Sequence, residues 1–201
     1  MLLRVIAPTK MRVLIACEFS GRVREAFSKR GHDAWSCDLF KTQIPSEKHY
    51  QGDVLNILDQ HWDLMIAHPP CTYLALSGAR HFAKRPEEQV KALEFVQLLL
   101  SASIPKIALE NPVGVISTFI RKPDQFIQPY EYGHSETKRT CLWLKNLPPL
   151  KPTLVIPLPA NGRWDNRTAN GNCNIAGCRN KRMLRSITYQ GIADAMAEQW
   201  G

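Results

Sequence analysis

Two short stretches of this 201-residue chain put reactive side chains directly behind stiff backbone. In the first, the apolar run Leu64, Met65, Ile66, Ala67 passes through His68 into Pro69-Pro70-Cys71. Four apolar residues bounded by breakers read as a strand buried on both faces of an α/β sheet. The prolines stop it and disfavour helix for the residue before each, so Cys71 is expected on a rigid loop at a strand's carboxyl end, where open parallel sheets bind ligands. In the second stretch, Lys106 to Leu109 reads as another short strand, ending in Glu110-Asn111-Pro112. Neighbouring parallel strands end side by side, so Glu110 can approach Cys71. A thiol with a pKa near 8.5 is only a few per cent thiolate at neutral pH, and Cys71 therefore needs a loop amide or a cation such as Arg80, His81 or Arg139 to become a nucleophile. Cysteine also serves as a small apolar filler. A filler, however, has no need of an acid at the next strand end.

The elements that must position these groups follow a βαβ rhythm. Arg12 to Ala16 reads as a first buried strand, followed by the turn Cys17-Glu18-Phe19-Ser20-Gly21 and a helix from Val23 to Lys29 that Gly31 ends. Ala34 to Cys37 is a second strand with Asp38 at its tip, where such folds bind ribose hydroxyls. Asp53, in Gly52-Asp53-Val54, can cap the following turn. Pro86 opens a long apolar-faced helix through Ser101. Thr140 to Leu144 reads as a further strand, and Thr188 to Trp200 as a closing helix. The expected fold is α/β: an open, doubly wound, mostly parallel sheet. Residues 1–150 form the catalytic core, 151–185 a small irregular basic insert, and 186–201 a helix returning to the core.

Composition limits the setting. No apolar run approaches the roughly 18 residues of a membrane span, so no membrane partner is expected, and MLLRVIAPTK lacks the apolar core and cleavage site of a signal peptide. Six scattered cysteines in a chain of this size fit a reducing cytoplasm rather than a disulfide framework. Cys173 and Cys178 lack the second pair that a structural zinc site requires, so no metal is expected. A formal charge of +8 and a pI near 9.3 favour a polyanionic partner.

In their order along the chain, Phe19-Ser20-Gly21, Asp38, Gly52-Asp53, Pro69-Pro70-Cys71, Glu110-Asn111 and the Lys138-Arg139 pair before Cys141-Leu142-Trp143-Leu144 resemble the DNA (cytosine-5)-methyltransferase family. The resemblance implies a Rossmann-like methyltransferase fold with S-adenosylmethionine as cofactor. Phe19, Gly21 and Pro69 would line the cofactor pocket, Asp38 would hold its ribose and Asp53 its adenine amine. By the same resemblance Cys71 would attack carbon 6 of cytosine, Glu110 would contact ring nitrogen 3 and the exocyclic amine, and Arg139 would approach the base oxygen. A carboxylic acid serves at nitrogen 3 if burial keeps it protonated near neutral pH. Two departures stand out. Ala67-His68 occupies the place where the family commonly has Gly-Gly, and residues 151–185 stand where members carry a large recognition domain. The substrate expected is DNA, with a free cytosine nucleotide, or DNA binding without catalysis, as the alternatives.

Overall fold

The computed structural model describes residues 9–170 and 181–201; Cys173, Cys178 and the side chains of Arg80 and His81 lie outside that description. Among the described residues, seven strands form one sheet in the order β3-β2-β1-β4-β5-β7-β6. They are β1 (Arg12–Ala16), β2 (Asp33–Asp38), β3 (His49–Gln51), β4 (Leu64–Ala67), β5 (Lys106–Pro112), β6 (Gln125–Ile127) and β7 (Thr140–Lys145). The pairs β2/β3, β1/β2, β1/β4 and β4/β5 are parallel, while β7 runs antiparallel to both β5 and β6. The expected α/β, open, mostly parallel sheet is present.

Alternation along the central strands builds two cores. Val13, Ile15, Leu64 and Ile66 face α1 (Arg22–Lys29) and α5 (Gln190–Trp200), whereas Leu14, Ala16, Met65 and Ala67 face α2 (Pro86–Ser101) and α3 (Ile116–Phe119). All eight strand residues are fully buried, and an aliphatic side chain withdrawn completely from water contributes about 1.5–3 kcal/mol. This two-sided burial explains why β1 and β4 read as continuous apolar runs.

Two expectations need correction. β5 does not stop at Leu109: it continues through Glu110, Asn111 and Pro112, because β7 supplies antiparallel partners as far as Pro112↔Thr140. The stretch 151–185 is not irregular throughout, since Lys181–Ser186 forms α4; residues 151–170 carry only isolated bridges.

The loop that follows Cys71 is fastened to the segment that follows β5. The Leu76 amide donates to the Val113 carbonyl (3.0 Å), the Val115 amide donates to the Leu74 carbonyl (2.9 Å), and Ala75 bridges Gly114. A Cβ on Gly114 would lie 2.0 Å from the Leu74 carbonyl oxygen, so only glycine allows this approach.

Candidate active site

β4 and β5 are in register at Ala67↔Leu109, which places His68 level with Glu110 on the same face. The His68 Nδ1 lies 3.1 Å from the Glu110 Oε2, with side-chain exposures of 7% and 17%. The Asn111 amide donates to the Pro69 carbonyl at 2.8 Å, tying the two proline-bearing motifs together. Among the described residues, the buried His68 Nε2 and Asn111 Oδ1 have no hydrogen-bond partner.

Cys71 is a free, exposed cysteine on the loop that follows Pro69-Pro70. Its surroundings, then the negative charge of Glu110, push its thiol pKa up, while Lys138, a backbone hydrogen bond and Arg185 pull it down. The thiol and the acid therefore share one electrostatic neighbourhood. Burial pushes Glu110 upward, but the His68 hydrogen bond, the Lys138 and His68 charges and the Thr140 hydroxyl outweigh it and hold the carboxyl below its ordinary range. The expectation that burial keeps Glu110 protonated is thus reversed. The His68 hydrogen bond is the foremost of the lowering contributions, followed by the Lys138 charge.

Lys138, rather than Arg139, is the cation of the expected pair that acts on both groups. Lys138 and Arg139 both precede β7, and their side chains part there. The Arg139 guanidinium sits 4.0 Å over the Phe126 ring. The Lys138 amine also donates to the Arg185 carbonyl at 2.8 Å, joining α4 to the site.

A second cluster lies at the carboxyl ends of β1, β2 and β3. Cys17 holds a left-handed backbone (φ 59°), a strained conformation for a residue other than glycine. Burial, Asp38, the neighbouring Cys37 and Asp53 all raise its pKa, so the two carboxylates converge on it. Asp38 is itself raised by burial. Its Oδ1 accepts from the Phe40 amide at 2.9 Å, and Asp53 caps Val54–Asn56 by accepting from the Leu55 amide at 3.0 Å. Leu39 and Phe40 stand exposed beside Asp38, as Leu55 does beside Asp53. Acceptors flanked by exposed apolar side chains fit the hydroxyls and flat ring of a nucleoside.

The turn between β1 and α1 is closed by its own residues. Gly21 adopts φ 75°, and a Cβ there would lie 2.9 Å from the Arg24 guanidinium and 3.2 Å from the Thr42 hydroxyl. Glu18, 4% exposed, accepts from the Val23 amide (2.8 Å), the Arg24 amide (3.3 Å) and the Ser20 hydroxyl (2.9 Å). Its carboxylate fills the helix amino terminus that a phosphate would otherwise take. Phe19 is buried, as is Pro69, beside the β4 end. Glu18, His68 and Lys138 were not singled out as site residues from sequence. A carboxylate ahead of the glycine turn and an imidazole directly after a buried strand were the available signals.

A cavity of about 310 Å³ lies between Pro70, Thr72 and Tyr73 of the Cys71 loop and Ala92 and Phe95 of α2. A larger one, about 640 Å³, is lined by Pro148, Thr153 and Glu198 beyond the far end of β7 and touches none of the groups above. Among the described residues there is no cluster of metal-ligating side chains and no helix long and apolar enough to cross a membrane.

No protein-family profile matches the chain, and no curated protein matches it in sequence. Among solved structures it is similar to a triply substituted variant of DNMT2 from Spodoptera frugiperda, at 15% identity and a TM-score of 0.43, over 77% of this chain and 57% of that one. The chain thus spans little more than half the length of that neighbour. A likeness of this degree assigns neither family nor activity.

Proposed function

We propose that the protein is an S-adenosylmethionine-dependent methyltransferase that modifies carbon 5 of cytosine in DNA through a covalent Cys71 adduct. The observation that carries this reading is that Cys71, after β4, and Glu110, on the adjacent β5, lie within electrostatic reach of one another, with Lys138 acting on both. Carbon 5 of cytosine is too weak a nucleophile to accept a methyl cation. Addition of the Cys71 thiolate at carbon 6 converts it to an enamine that can. Lys138 and Arg185 favour the thiolate, and Glu110 would engage ring nitrogen 3 and the exocyclic amine.

The cofactor would be held by Asp38 and Asp53 against Leu39, Phe40 and Leu55, with Cys17 at the floor. When bound, it supplies the electrophilic methyl group. The Glu18 carboxylate at the α1 terminus suits a nucleoside without phosphates better than a dinucleotide. A net charge of +8 supports a polyanionic substrate, and the free thiols of Cys17, Cys37, Cys71 and Cys141 support a cytoplasmic setting. Arg139, implied by the resemblance to approach the base oxygen, lies over the Phe126 ring and would instead contact phosphate from that face.

DNA carrying 5-fluorocytosine is expected to form a denaturation-resistant adduct with the wild type and none with Cys71→Ser. Labelled methyl groups appearing on dCMP but never on DNA would move the assignment to a nucleotide enzyme. Absence of cofactor binding by calorimetry would leave only a DNA-binding protein.

A further inference from the structure

The reading above requires a proton at ring nitrogen 3 when the thiolate adds, yet the Glu110 carboxylate is held in its charged form by its neighbours. We propose that His68 is the proton store of the site: the His68–Glu110 pair holds one transferable proton, which Glu110 delivers to ring nitrogen 3 as Cys71 adds to carbon 6. This inference rests on the cytosine-5 reading. It adds a residue, His68, to which no role was assigned from the sequence.

Three observations support it. The His68 Nδ1 and the Glu110 Oε2 are 3.1 Å apart, within reach for transfer along a hydrogen bond. His68 is 93% buried, counting from a side-chain exposure of 7%, so its ring cannot exchange protons freely with bulk water. Its Nε2 has no partner among the described residues, so no other group fixes the tautomer or charge of the ring; a purely structural histidine would normally satisfy both nitrogens. The groups facing Glu110 from the surrounding elements are Lys138, just ahead of β7, and Thr140 at its start; Glu110 in turn raises the thiols of Cys71 and Cys141, and Arg185 of α4 acts on Cys71.

The step balances without a further reactant. It starts from the Cys71 thiolate, an imidazolium at His68 and a carboxylate at Glu110. As the sulfur–carbon 6 bond forms, the C5=C6 π pair moves to C4–C5 and the C4=N3 pair moves onto nitrogen 3. Nitrogen 3 takes a proton from the Glu110 carboxyl, and Glu110 takes one from the His68 Nδ1. The products are a neutral enamine, a neutral imidazole and a carboxylate. After substitution at carbon 5, the original carbon 5 hydrogen leaves as a proton to solvent water, sulfur leaves with its electron pair as C5=C6 re-forms, and the nitrogen 3 proton returns to the pair. Only one proton has to be stored.

The test follows exchange of the carbon 5 hydrogen with solvent, which requires addition at carbon 6 but no methyl transfer. Wild type, His68→Asn and Cys71→Ser are compared on an oligonucleotide deuterated at cytosine carbon 5, with mass readout across pH. Asparagine can still donate a hydrogen bond to Glu110 but cannot carry a transferable proton. His68→Asn is expected to lose about 100-fold in exchange rate at neutral pH, the scale of a general acid, and to shift the alkaline limb of the profile by about one pH unit or more toward acid. Superimposable profiles in wild type and His68→Asn would overturn the inference and leave the cytosine-5 reading standing. If the wild type itself shows neither exchange nor a 5-fluorocytosine adduct, the cytosine-5 reading fails. The pair is then judged alone, by carbon-13 titration of the Glu110 carboxyl in free protein. A higher titration point in His68→Asn than in wild type supports the coupled pair, and equal points overturn it.

Discussion

Glu18→Ala is expected to be the most destabilising single change near the β1–α1 turn. The Glu18 carboxylate accepts three hydrogen bonds, from the Val23 amide, the Arg24 amide and the Ser20 hydroxyl, in surroundings that leave it 4% exposed. Truncation leaves the hydroxyl free to turn elsewhere, but the two amides are fixed at the start of α1 among buried side chains. At about 1–3 kcal/mol for each orphaned buried donor, the loss comes to about 3 kcal/mol. For a chain of this size each kcal/mol moves the midpoint by about 2–4 °C, so Tm should fall by about 9 °C. Asp53→Ala is the built-in comparison, because Asp53 caps through one bond, to the Leu55 amide at 3.0 Å, on an exposed turn. That change should cost about 1 kcal/mol, or about 3 °C. Thermal unfolding followed by circular dichroism reads both variants. A drop for Glu18→Ala no larger than that for Asp53→Ala would refute the view that this carboxylate is the buried cap of α1.

Other outcomes follow from the same geometry. Because its surroundings and then Glu110 raise the Cys71 thiol, alkylation by iodoacetamide should be slow at neutral pH and climb only above the ordinary thiol range, and Glu110→Gln should move the climb toward acid; a curve unmoved by that substitution would separate the two groups. Glu110 has its pKa lowered on folding, so it contributes stability above its ordinary value of 4.5 that is lost as pH falls through the lower folded value. In urea titrations between pH 7 and pH 3, His68→Ala should show a smaller acid loss than wild type, and parallel curves would contradict the pairing. Gly114→Ala should destabilise the protein and slow Cys71 adduct formation together, since the new methyl group meets the Leu74 carbonyl at 2.0 Å; normal kinetics in a folded variant would show that the loop adjusts elsewhere.

Much of this architecture was legible in the residues. Leu64–Ala67 read as a two-sided buried strand because its pattern is local and its stop is written as Pro69-Pro70, and the adjacency of Cys71 and Glu110 followed from strands ending side by side. The extension of β5 through Pro112 was not legible, since it depends on β7 pairing from far along the chain. The resemblance implies Arg139 at the base, whereas Lys138 is the cation that acts on Cys71 and Glu110; two adjacent basic residues are not told apart by sequence alone. His68 was visible as a departure from a familiar pattern. Its consequence for the charge of Glu110 required knowing that the two strands are level.

The two bonds and one bridge between the Cys71 loop and the segment after β5 close a circuit in the chain. Residues 77–105, including all of α2, are an excursion that leaves the anchored loop and returns into β5, which β4 holds in register. Such an excursion can lengthen, shorten or drift in sequence while nucleophile and acid keep their spacing, because that spacing is fixed at its ends.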